Sequence, residues 1–181
     1  MPEHLTSIDD LISLRDTQQK QGTLRAAAAT DREIGIRLAE DGFYERGLGF
    51  LQAARRLFGD DSYDGAVCDH AIGIVLAELA RYEESAAALD HARTVYGSLH
   101  RFLAVADCDE HLGQSLLVLD HPLDAIARFE AARRIHVEMN TLERITACDE
   151  GIQDAKAALH PAQPNRGRPR RAHIAQRVAA A

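Results

Sequence analysis

The chain has 181 residues, of which 46% are hydrophobic and 5% aromatic, and its formal net charge is −7. This length suits one sizeable core and is too short for two ordinary domains with a linker. No apolar run approaches the ~18–20 residues that span a bilayer and the acidic start of the chain lacks a signal core, so we expect a cytoplasmic protein with no membrane partner.

The elements predicted along the chain are all helices. Ser7 and Asp10 indicate an N-cap for a first helix over about 8–20. Beyond it the apolar residues recur at helical spacing, as in the stripe Ile72, Val75 and Leu76. The further helices that we predict are 24–40, 43–57, 62–79, 82–96, 100–119, 122–137 and 141–159.

An internal repeat organises these helices. Cys68, Cys108 and Cys148 recur at one constant interval, and each precedes an aspartate. Further matches in the same frame define repeats over about 25–58, 62–97 and 100–137, and a capping helix over 141–159. Each repeat is a pair of antiparallel helices whose apolar faces are buried only by stacking, so the prediction for residues 1–160 is one all-α solenoid domain.

The repeat resembles the tetratricopeptide repeat in a 40-residue form, over roughly residues 25–158. One unit carries the resemblance in Gly73, Tyr82, Ser85, Leu89 and Ala92. The resemblance implies a right-handed α-solenoid that serves as a binding scaffold. It also implies a peptide-binding groove along the first helix of each unit. The groove positions carried over are Arg32, Ile36, Val67, His70, Ile74, Asp107, Glu110, Gln114, Glu150 and Asp154.

Along these positions the side chains change from mixed and apolar to strongly acidic. A groove of that character favours a basic or amphipathic peptide segment of a protein partner.

A second series of charged residues recurs with the repeat. Asp31, Asp69, Asp109 and Asp149 stand where the family usually has a large apolar residue. Arg55, Arg93 and Arg133 each follow the aspartate of their own unit at the same interval. Because buried charges need partners, we predict a structural ladder of Asp–Arg ion pairs. Each arginine pairs either within its own unit or with the aspartate of the next unit.

Metal binding and catalysis are both disfavoured by the sequence. Equivalent cysteines on stacked helices stand roughly 10 Å apart, whereas zinc ligands lie about 2.3 Å from one ion. We therefore expect the cysteines to be packing residues, and we expect no metal and no cofactor. His70 and His111 occupy different repeat positions, so we do not expect them to pair. No catalytic constellation is present, so we predict that the chain is not an enzyme.

The segment 161–181 differs from the rest of the chain. It carries five arginines and no acidic residue, whereas all 28 acidic residues lie within residues 1–160. Its prolines and lack of periodicity predict a disordered tail. A run within it resembles an AT-hook, an element that enters the minor groove of A·T-rich DNA. This run comprises Arg166, Gly167, Arg168, Pro169, Arg170 and Arg171.

Three roles for the tail stay open: contact with DNA or other nucleic acid, a solubilising function, and docking on the acidic groove of its own chain. The leading hypothesis for the whole chain is a protein–protein interaction scaffold or adaptor. The alternative is a DNA-associated regulatory accessory protein that uses the tail for minor-groove contact.

Overall fold

A computed structural model describes residues 7–159, which form eight α-helices. Side-chain capping by Ser7 and Ser62 begins two of them. Pro122 occupies the first turn of another, where its missing N–H is tolerated. The helices are α1 (Ile8–Lys20), α2 (Leu24–Glu40), α3 (Tyr44–Arg55), α4 (Tyr63–Glu78), α5 (Tyr82–Ser98), α6 (Phe102–Val118), α7 (Pro122–Glu138) and α8 (Leu142–Leu159).

The helices pack in chain order and confirm the all-α solenoid. The three repeats are the pairs α2–α3, α4–α5 and α6–α7, with α1 before them and α8 after them. Each helix packs against the next along the chain, and the first helices α2, α4, α6 and α8 also contact one another in succession. The core is a row of small clusters between neighbouring helices. Observed and predicted helix ends differ by at most two residues.

Short turns of one type set the spacing of the helices. Six connections within residues 7–159 are three-residue turns whose middle residue has a positive φ. In the turn at Ala80, for example, the Arg81 N–H donates to the Leu76 carbonyl at 2.8 Å. This is the Schellman pattern, which satisfies the last carbonyls of a helix and starts the next one after a sharp reversal. The α3–α4 connection is longer.

Small residues let the two helices of a unit approach closely. A Cβ at Gly73 would lie 2.6 Å from Leu89 Cγ, and a Cβ at Gly113 would lie 2.8 Å from the Phe129 ring. These glycines therefore leave the space that the large side chain of the second helix occupies. A Cβ at Gly151 would also lie 2.8 Å from Phe129, so this larger ring is accommodated between two glycines.

Among the described helices, none has an apolar stretch long enough to cross a membrane.

Candidate binding groove and the buried junctions beside it

The ten predicted groove positions lie on the first helices α2, α4, α6 and α8, and this row of helices is called the groove face below. Nine of the ten keep part of their side chain exposed. Glu110 is the exception, with 5% exposure, because α7 and α8 cover it. The prediction that Glu110 lines the groove is therefore wrong.

Two arginines share one carboxylate at the α2 end of the groove face. Arg32 Nη1 lies 2.7 Å from Asp64 Oδ1, and Arg25 Nη2 lies 3.0 Å from Asp64 Oδ2. These pairs join α2 to α4. The two guanidinium groups lower the pKa of Asp64, with Arg32 as the larger influence. At this end of the groove face the two arginines therefore carry one positive charge more than Asp64 neutralises.

The centre of the groove face contains a histidine pair that sequence reasoning did not expect. The rings of His70 and His111 lie 5.6 Å apart, so the expectation that these residues do not pair is wrong. Neighbouring helices cross at an angle, which brings one repeat position opposite the next. Burial lowers the pKa of His70 to about 4 and also lowers that of His111, so both are uncharged near neutral pH. His70 Nε2 is buried without a hydrogen-bond partner.

Val67, Ile74 and Gln114 lie on the same two helices as this pair, and their side chains are half-buried and uncharged. The middle of the groove face is thus neutral, and it lies between charged groups on α2 and on α8.

At the α8 end two carboxylates share one guanidinium. Arg144 Nη2 lies 2.9 Å from Asp107 Oδ1, and Arg144 Nε lies 3.2 Å from Glu110 Oε1. Glu150 and Asp154 lie exposed on α8. The acidic character predicted for this end is therefore reduced at Asp107 and Glu110 by an internal arginine.

Beside the groove face, the same three repeat positions meet wherever one unit contacts the next, and each such place is called a junction. A residue of a first helix meets a residue at or just after the end of its second helix, together with a cysteine of the next first helix. The first junction is Arg32, Phe58 and Cys68; the second is His70, Tyr96 and Cys108; the third is Glu110, His136 and Cys148.

Each of the first two junctions contains an aromatic ring in contact with a nitrogen-bearing side chain. The Arg32 guanidinium lies 5.7 Å from the Phe58 ring centroid. The His70 ring meets the Tyr96 ring edge-on at 6.2 Å. Both arrangements are favourable packing contacts.

The third junction is polar. His136 Nε2 lies 2.7 Å from Glu110 Oε1, and His136 Nδ1 lies 2.8 Å from Thr141 Oγ1. Donor atoms of Glu110, His136 and Cys148 all lie within 4.8 Å of one another, and all three side chains are buried. Burial raises the pKa of Glu110 and raises that of Cys148 to about 12. Sequence reasoning missed this cluster, although its members occupy the same repeat positions as those of the other junctions.

The ion-pair ladder joins successive units. The Nε atoms of Arg55, Arg93 and Arg133 lie 2.7, 2.9 and 2.6 Å from an Oδ1 atom. In each case the aspartate belongs to the next unit, which is the second of the two arrangements left open by the sequence. The aspartates reached in this way are Asp69, Asp109 and Asp149.

The two ends of the ladder differ from its middle. Among the described residues no repeat precedes the one that contains Asp31, and Arg15 of α1 lies 3.5 Å from this aspartate. Asp149 keeps 51% of its side chain exposed, because no further unit covers α8 among the described residues. Asp69 and Asp109 in the middle each have a second partner, His91 at 2.8 Å and an arginine at 3.3 Å respectively.

The predicted nucleic-acid residues Arg166, Gly167, Arg168, Pro169, Arg170 and Arg171 lie outside the described residues, as does the rest of the tail.

No protein-family model and no curated protein matches the chain. Among solved structures the chain is similar to BtubC (BKLC) from P. vanneervenii, with 16% identity and a TM-score of 0.48 over 90% of this chain and 84% of that chain. A similarity of this size says nothing about what the present chain binds.

Proposed function

We propose that this chain is a cytoplasmic interaction scaffold of the tetratricopeptide kind, without enzymatic activity, that holds a peptide segment of a partner protein on its groove face. The distribution of charge along that face is the observation that supports the proposal. The Arg–Asp–Arg group lies at the α2 end, the neutral centre follows, and the exposed carboxylates of Glu150 and Asp154 lie at the α8 end.

This pattern favours a segment with apolar residues in its middle and basic residues toward α8. Val67 and Ile74 offer apolar contact at the centre. The neighbouring His70 and His111 are uncharged, so apolar groups of the peptide need not displace water from a charged side chain there. Glu150 and Asp154 attract basic side chains at the α8 end. A helix laid in a groove and an extended peptide can both satisfy this arrangement.

Site-specific photo-crosslinking in the native host tests the proposal. A photoreactive amino acid is introduced at Ile74 or Gln114 on the groove face. Ala87 and Ala127, which are exposed on the second helices α5 and α7, serve as matched controls. We expect a crosslinked protein from the two groove positions only, and mass spectrometry of the product identifies the bound segment. Equal crosslinking from the control positions would contradict the proposal.

Charge reversal then tests the orientation of the segment. The double change Glu150→Lys and Asp154→Lys should weaken binding of the identified peptide, and the loss should shrink as salt concentration rises. A peptide that binds the double variant as tightly as the wild type would rule out the acidic end as its contact.

DNA contact through the tail is the second candidate, and it rests on the Arg166–Arg171 run of the sequence. Its test compares the full chain with a truncation that retains residues 1–160, in a mobility-shift assay on A·T-rich duplex at several salt concentrations. We expect binding by the full chain only. Identical behaviour of the two proteins would remove DNA from consideration.

A further inference from the structure

Two of the three junction positions differ in residue type from one junction to the next, and the third is always a cysteine. At both of the changing positions the third junction differs in chemistry from the other two. The first two place a cation or an imidazole against an aromatic ring beside the cysteine. The third instead places a carboxylate and an imidazole beside Cys148. We propose that the third junction is a metal site, in which Glu110, His136 and Cys148 bind one divalent cation of the zinc class.

The donor set and its spacing fit such an ion. Ligand atoms around tetrahedral zinc lie about 2.0–2.3 Å from the metal and therefore roughly 3.5 Å from one another. The donor atoms here lie within 4.8 Å of one another, and Glu110 Oε1 lies 2.7 Å from His136 Nε2. Side-chain shifts of about 1 Å bring these atoms to bonding positions. A thiolate with an imidazole selects zinc over magnesium or calcium, and water takes the fourth position.

His136 already makes the kind of hydrogen bond that orients a metal-binding histidine. His136 Nδ1 lies 2.8 Å from Thr141 Oγ1, and its Nε2 points to Glu110. A hydrogen bond from Nδ1–H to the threonine oxygen leaves the Nε2 lone pair for the metal. Hydrogen bonds of this type orient metal-binding histidines and fix their tautomer.

The surrounding charges accept a divalent cation. The carboxylate of Glu110 and the thiolate of Cys148 together balance two positive charges. Arg144, which lies 3.2 Å from Glu110, also lies 2.9 Å from Asp107 and keeps that partner when Glu110 turns to the metal.

The position of the junction indicates what the ion does. Its three ligands come from α6, α7 and α8. Among the described residues α8 is the last helix, and no second helix packs on it to complete a repeat. A metal bound by all three helices fastens α8 to the array. The role is structural, so it holds whether or not the groove face binds a peptide.

Cobalt absorption tests the site directly. The full chain, without a histidine tag and stripped of metal by a chelator, is titrated with Co²⁺ and then with Zn²⁺. Only a cysteine ligand produces a thiolate-to-cobalt charge-transfer band. We expect the band to saturate at one equivalent and to disappear when zinc is added. Absence of the band in the wild-type protein would overturn the proposal.

Cys108 provides the matched control, because it occupies the same repeat position in the second junction and is equally buried. Cys108→Ser should keep the band, whereas Cys148→Ser should lose it and bind zinc at least about 100-fold more weakly in competition with a chelating dye. Thr141→Val should weaken zinc binding by about 10–100-fold. A band that survives Cys148→Ser, or that depends equally on Cys108, would overturn the assignment.

One further variant covers the case in which Cys148→Ser fails to fold, as judged by circular dichroism. His136→Tyr installs the residue that the chain itself uses at Tyr96 in the second junction. Zinc should raise the Tm of the wild type and leave that of His136→Tyr unchanged. Equal zinc-induced shifts in the two proteins would assign the binding to other residues and reject the site.

Discussion

Two glycines on α3 should respond in opposite directions to the same substitution. A Cβ at Gly47 would lie 2.7 Å from the carbonyl oxygen of Gly35 and 3.2 Å from the amide nitrogen of Ala39, both backbone atoms of α2. A Cβ at Gly49, two residues further along α3, would meet no atom within 4 Å. Gly47→Ala and Gly49→Ala therefore make the same chemical change in the same helix, one in a closed site and one in an open site.

The expected magnitudes follow from this difference. Replacing glycine by alanine inside a helix stabilises a protein by about 0.5–1 kcal/mol, and both variants gain this amount. At Gly47 the backbone of α2 cannot rotate away as a side chain can, so α2 and α3 must separate. Overpacking of this kind costs about 1–3 kcal/mol. Gly49→Ala should be the more stable variant by that cost, and Gly47→Ala should be less stable than the wild type.

Urea unfolding monitored by circular dichroism measures both variants against the wild type. In a parallel thermal unfolding experiment, the Tm values of the two variants should differ by roughly 2–12 °C for a chain of this size. The m-value is followed as well, because stacked repeats can lose their cooperative unfolding. If both variants were stabilised equally, α2 and α3 would be able to separate without cost. The close approach of Gly47 to α2 would then not contribute to stability.

Three further expectations follow from single residues. Ala80 has a φ of 57°, a backbone conformation that favours glycine. Ala80→Gly should therefore raise the unfolding free energy by about 0.5–1 kcal/mol in the same urea assay. Ala87→Gly, in the middle of α5, should lower it by a similar amount. Burial raises the pKa of Asp31, and a raised carboxyl pKa destabilises the folded state as pH rises through it. Asp31→Asn should therefore gain stability relative to wild type between acidic and neutral pH. Asp69→Asn, which loses contacts to two partners, should cost about 1–3 kcal/mol. Cys68 is fully buried, and burial raises its pKa to about 11. A thiol reagent near pH 8 should therefore modify Cys68 far more slowly in the folded protein than in the urea-unfolded protein.

The helices and their stacking could be predicted from the sequence because both leave periodic signals. Apolar residues recur within each helix, and the even spacing of Cys68, Cys108 and Cys148 fixes the length of the repeat. The partner choice in the ion-pair ladder was not predictable, since Arg55 could reach an aspartate of its own unit or the next one. Distances between helices decide that choice, and the sequence does not contain them.

The groove positions were harder to predict than the fold. Glu110 and Asp107 lie three residues apart on α6, and helical spacing places both on one face. Glu110 is nevertheless covered, because His136 of α7 and Arg144 of α8 contact its carboxylate. These contacts between helices cannot be read from helical spacing. The contact of His70 with His111 depends on the angle between neighbouring helices, which shifts the facing positions by one residue.

The junctions explain why sequence reasoning found the repeat and missed the polar cluster. Glycines at close approaches and three-residue turns fix the backbone of each unit, so the same three positions meet at every junction whatever side chains they carry. A search for like residues at like positions detects Cys148, which repeats, and overlooks Glu110 and His136, which do not. In a repeat fold the recurring backbone geometry brings unlike residues together, so a special site is expected where the repeated positions change chemistry together. The third junction is such a place within the described helices, because all three of its side chains are metal-binding types.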